Sequence, residues 1–231
     1  KLGNIPQQIP TISAHAVPTA AAPANTLATG LIDLKLPEEK NECVAIIPTN
    51  YRHDVPHALI VWLQAPGEPD NENLQAQWAA LGEQYQAIVL APQSADPARW
   101  NPSEVDFIRK TIDNVLSIYT IDRNRIVVHG QQAGGSMSYL VGFSHRDLIR
   151  GVAPLDASLP IRAAIKANDP GERLAFYAFN LKESKLAKAS AAGLKRLTAA
   201  KYPVTAVQLS DKAGLSDSDR IQFLQWVDSL D

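Results

Sequence analysis

Gly130 and Gly134 frame Gln132 at the spacing of a sharp turn. The residues before the turn, Arg125-Ile126-Val127-Val128-His129, read as a strand, and Gly135-Ser136-Met137 after it read as the start of a helix. A strand that turns abruptly into a helix lifts the residue at its tip clear of the backbone, where a hydroxyl or thiol would serve as a nucleophile. The tip here is Gln132, and a side-chain amide is not a nucleophile. A serine at such a tip also needs an imidazole to take its proton. The chain has five histidines, and all of them, the last being His145, precede Arg146. The turn is expected to keep its geometry and lack its chemistry.

Other reactive side chains fare no better. Ser136 lies four residues past the tip and is the substitute nucleophile nearest in sequence. Without an aligned base it is expected to be a small residue packed where the helix meets the sheet. His129 ends the strand beneath the turn and is expected to be a hydrogen-bonded strand-end residue. His53 and His57 flank Asp54, but Val55 and Pro56 intervene and no further ligand is nearby, so a solvated loop is expected rather than a metal site. No cofactor and no metal is expected. The lysines 182, 185, 188, 195 and 201 with Arg196 form a basic run around one helix, which reads as a solvated face. Trp100 falls in the loop after the fourth strand, at the carboxyl edge where open sheets bind ligands, and serves either ligand contact or packing.

The elements that must position these residues alternate regularly. Short apolar runs at 43–47, 58–64, 87–91, 126–130, 151–155, 174–179 and 204–209, with an earlier one at 31–36, read as strands. Most lack polar alternation, as parallel strands buried on both faces do. Helical periodicity falls near 72–84, 102–119, 135–143, 185–200 and 218–229. The order implies an α/β fold with a doubly wound, mostly parallel sheet flanked by helices over residues 30–231. Residues 3–29 carry no Asp, Glu, Lys or Arg and include four prolines, so residues 1–29 read as an extended Pro/Ala-rich linker. With 45% hydrophobic and 20% charged residues the 231-residue chain is ordinary in composition. A net charge of −2 gives no reason to expect nucleic acid as a partner. Its single cysteine, Cys43, excludes an internal disulfide, and the longest apolar run is far too short to span a bilayer.

The run Tyr119-Thr120-Ile121-Asp122-Arg123-Asn124-Arg125-Ile126, leading into Gly130-Gln131-Gln132-Ala133-Gly134-Gly135-Ser136-Met137, resembles the α/β-hydrolase superfamily, in its polyhydroxybutyrate-depolymerase-like and feruloyl-type esterase branch. The resemblance implies a degenerate triad. Its nucleophile position is Gln132, its acid position after the seventh strand is Glu183, and its histidine position after the eighth lies in the 210–214 loop and reads as Gly214. It also implies an oxyanion loop at 64–68, where Gln64 stands and Pro66 has no N–H to give, leaving Ala133 as a donor. Gln64, Trp100, Gln132 and Ala133 are thus the binding candidates. Lys1 to Pro10 resemble the final strand and exit linker of PDZ domains in trypsin-like serine proteases. That implies an upstream protease and PDZ domain and suggests the bacterial cell envelope or periplasm. Two functions follow. The first is a non-catalytic binding or interaction module for an unknown protein or small molecule. The second is an active esterase or peptidase using non-standard catalytic positions.

Overall fold

Eight strands are present, β1 (Gly30–Asp33), β2 (Cys43–Ile47), β3 (His57–Leu63), β4 (Ala87–Pro92), β5 (Ile121–Gln131), β6 (Gly151–Leu155), β7 (Ala175–Leu181) and β8 (Val204–Leu209). They form one sheet in the order β1-β2-β4-β3-β5-β6-β7-β8 in the computed structural model, which describes residues 27–67, 69–160, 165–209 and 214–230. From β4 across to β8 every neighbouring pair is parallel, while β2 runs antiparallel to both β1 and β4. The expected doubly wound sheet is present.

Two-sided burial explains why the central strands lack alternation. In β3, Leu59, Val61 and Leu63 pack into one apolar cluster while Ala58 and Ile60 pack into the other. Helices α2 (Val105–Ile118), α3 (Ala133–Ser144) and α4 (Ala187–Ala199) cover the first face. Helices α1 (Asn71–Tyr85) and α5 (Asp217–Asp228) cover the second, burying Leu74, Trp78, Phe223, Leu224 and Val227. Each such side chain taken out of water contributes about 1.5–3 kcal/mol before entropy is counted. Among the described residues no helix is long and apolar enough to cross a membrane.

Several boundaries differ from expectation, most of them for a tertiary reason. The first strand ends at Asp33, because only four of its residues find partners on β2. β5 begins at Ile121, well before its apolar run, since its polar start, exposed at Arg123 and Asn124, still belongs to the strand beside β3. β8 was expected to be buried on both faces but is largely exposed, because it is an edge strand with a neighbour on one side only. α5 is capped by Ser216, whose hydroxyl accepts from the Asp219 N–H while the Asp219 carboxylate accepts from the Ser216 N–H, a reciprocal capping box. Contacts also reach residues before Gly30. Leu27 packs on the core, and the Ala28 carbonyl accepts from the Tyr119 hydroxyl at 2.7 Å. Residues 1–26, on which the expected linker and the PDZ resemblance fall, lie outside the described residues.

Candidate functional site

The turn after β5 has the shape expected of it. Gln132 sits at φ 51°, ψ −111°, between the last residue of β5 and the first of α3. A side chain at positive φ is strained by on the order of 1–3 kcal/mol. The surroundings hold it there: the Gln132 N–H donates to Leu155 O at 2.9 Å, and Gln132 O accepts from Ser136 N–H at 2.9 Å.

The two flanking glycines are required for room rather than for unusual dihedrals, since neither has positive φ. A Cβ at Gly134 would drive into the Leu63 carbonyl oxygen and lie 2.7 Å from that of Gln64. A Cβ at Gly130 would collide with the Gly134 carbonyl and lie 2.9 Å from Gly135 N. The helix therefore starts hard against the ends of β3 and β5, and this contact sets where Gln132 projects.

Gln132 and Ala133 open onto a cavity of 510 Å³ at the carboxyl edge of the sheet. As the first residue of α3, Ala133 has an N–H with no acceptor inside the helix. Ser136 and Glu183 also line this cavity, joined by Asp156, Ser158, Ser184 and Lys185. Ser136 was expected to be packed away. It is half-buried on the cavity wall instead, its hydroxyl donating to Ser158 O at 3.3 Å. Asp156 was not foreseen. It follows β6 at φ 45° with its N–H bonded to Phe179 O. An aspartate directly after a buried strand is the signal that marks this edge in sequence.

The remaining candidates are separated from it. Gly214, at φ 119°, lines a different cavity of 190 Å³, while Gln132 and Glu183 line the first. Residues 210–213 of the same loop lie outside the described residues. Gln64 lines that second cavity and not the one at Gln132. Trp100 lines neither; its indole N–H donates to Gln64 O at 2.8 Å and braces the loop after β3. The loop bearing Trp100 is held in turn by Glu104, a buried carboxylate accepting from Ala95 N–H at 2.8 Å, Asn101 N–H at 2.6 Å and the Asn41 amide at 2.7 Å.

No described histidine lines the Gln132 cavity. His129 is completely buried, beside the rings of Trp62, Phe179 and Phe223. Its Nδ1 donates to Ala153 O at 2.5 Å, and because a carbonyl only accepts, that nitrogen carries the proton and Nε2 is a lone pair. Burial pushes its pKa down to about 4, the Ala153 hydrogen bond opposing and the Arg220 charge adding to the drop. His57 corrects the expectation of a solvated loop: it is the buried first residue of β3, bonded to Val55 O and tilted against the Tyr51 ring. Its pKa is lowered, by burial first. Asp54 pairs with Arg52 instead, and His53 is exposed beside Thr120. No group of His, Cys, Asp or Glu suited to a metal ion occurs among the described residues.

No family model and no curated protein matches the chain. Solved structures do. A ferulic acid esterase shares 13% identity over 87% of this chain and 97% of its own, with a TM-score of 0.66. An acetyl xylan esterase from Aspergillus awamori shares 11% over 85% and 99%, also at 0.66. A thermostable esterase shares 20% over 87% of this chain but only 59% of its own length, at 0.61. At these identities the likeness is one of architecture, and the chain has the α/β-hydrolase fold.

Proposed function

We propose that the domain is a non-catalytic binding module that receives a small polar ligand, or a segment of a partner protein, in the cavity at Gln132. The observation that carries this reading is the tip itself. A strained turn presents an amide where a nucleophile would stand, and no described histidine faces the cavity it opens onto. Losing one triad member commonly removes several orders of magnitude in rate. The wall offers hydroxyls, two carboxylates and a lysine, groups that hold a polar ligand without a proton shuttle. The N-terminal resemblance adds an upstream protease in the bacterial envelope as the partner that the module would serve, which the full-length reading frame tests directly.

A second reading, hydrolysis from non-standard positions, is favoured by two things. The structural neighbours are named as esterases, which speaks for the hydrolytic alternative more than for the first reading, and Ser136 opens onto the cavity that also holds Asp156. A fluorogenic short-chain ester assay separates the two. Turnover is expected to equal the buffer rate, and Gln132→Ser is expected to stay folded and resist labelling by an organophosphonate. Turnover above buffer that vanishes in Ser136→Ala, or efficient labelling of Gln132→Ser alone, overturns the first reading.

A further inference from the structure

Gln131 and Gln132 are consecutive residues that open onto different spaces, one onto the 190 Å³ cavity and the other onto the 510 Å³ cavity. The smaller space lies between α1 and α5, on the face of the sheet that carries His129 rather than the face covered by α3. We propose that it is a binding site for a small organic monocarboxylate, held by Arg220 and Gln64. This goes beyond the reading of the Gln132 cavity and stands whether or not that cavity turns over esters.

Two under-used donors carry the inference. The Arg220 side chain is 9% exposed and bonds one partner among the described residues, Asp217, through Nη1 at 2.8 Å. Asp217 is itself 87% exposed, so its side of the pair faces solvent. Nε and Nη2 of Arg220 have no acceptor among the described residues, although a guanidinium carries five N–H donors. The side-chain nitrogen of Gln64 is buried with no acceptor either. Both residues line the same cavity. Leaving a buried donor unpaired costs about 1–3 kcal/mol, so the Gln64 amide calls for an acceptor inside the cavity, where the remaining Arg220 donors can share it.

The type of acceptor follows from the arrangement. A guanidinium fork pairs with the two coplanar oxygens of a carboxylate, and an amide N–H can add a further bond to one of them. Asp70 lines the same cavity, its Oδ1 already accepting from Asn73 N–H at 3.0 Å. That negative charge opposes a dianion such as phosphate more than a monoanion. Trp62, Leu74 and Leu155 supply an apolar wall for a short carbon chain.

The test is a titration of the isotopically labelled protein with sodium acetate at constant ionic strength, followed by NMR at the Arg220 Nε–H and Gln64 side-chain amide signals. Saturable shifts are expected with acetate, and binding at least about tenfold weaker with uncharged acetamide. Arg220→Met should weaken acetate binding about tenfold or more, and Gln64→Leu several-fold. Asp217→Asn should tighten it, since it removes the carboxylate that competes for the guanidinium. If Arg220→Met fails to fold, Gln64→Leu and Asp217→Asn decide the matter. Absence of saturable shifts, equal response to acetamide, tighter binding of inorganic phosphate, or unchanged affinity in both of those variants overturns the proposal.

Discussion

Gln132 is the residue at which local preference and global structure disagree. Glutamine does not favour φ 51° at ψ −111°, yet the hydrogen bond to Leu155 and the close start of α3 hold it there. Gln132→Gly is therefore expected to raise stability by about 1 kcal/mol in urea unfolding, because glycine adopts positive φ without the Cβ clash. A loss of stability instead would mean that the amide side chain makes a contact worth more than the strain. His129 is the second such residue. With a folded pKa of about 4 against an ordinary value of 6.5, the unfolded chain binds more protons between those limits. Its contribution is complete above pH 6.5, declines as the pH falls toward 4, and is lost below that. The effect amounts to roughly 3 kcal/mol. His57 shifts in the same direction and adds to the slope. His129→Gln should thus flatten the loss of stability measured between pH 7 and pH 4.5, even though it costs stability at neutral pH.

Among the elements, α3 has the tightest placement. Its third turn lies close to Val152, and its first turn presses Gly134 on the ends of β3. Gly134→Ala must push back the Leu63 and Gln64 carbonyls, which are main chain at the end of β3 and cannot rotate aside. Overpacking of this kind costs typically 1–3 kcal/mol, and more where the obstacle is main chain. The substituted protein is expected to lose at least about 3 kcal/mol or to fail to accumulate as folded protein, read by chemical denaturation. Tolerance of alanine at 134 would show that the helix can retreat from β3, and the elbow geometry would then have another cause. The capping residues show the opposite behaviour. Ser216 and Asp219 satisfy each other locally, so α5 starts where its own sequence dictates.

At the level of the molecule, both apolar clusters rest on the same eight strands. Trp62 and Trp78 belong with the α1/α5 face, whereas Trp100 packs with the other. Neither face keeps a support if the sheet opens, so the two should unfold together. Tryptophan fluorescence and far-ultraviolet circular dichroism are expected to give coincident urea transitions. Separate midpoints would indicate that one helical layer detaches while the sheet persists.

How much of this was legible in the residues depends on distance along the chain. The alternation of strand and helix, the elbow at Gln132 and the absence of any histidine beyond His145 are local or compositional facts, and sequence alone determined them. Strand and helix periods repeat within a few residues, so their reading needs no knowledge of neighbours. The tertiary structure decided what depends on residues far apart meeting. It brought Asp156 and Ser136 to the cavity at Gln132 and turned Trp100 into a brace for Gln64. It also buried His57, exposed β8 at the sheet edge, and set Gly214 apart from Gln132 in a cavity shared with Arg220. A cavity is the space left between loops that close on one another only after the sheet has formed. No period or spacing along the chain encodes which of two consecutive glutamines will face which space.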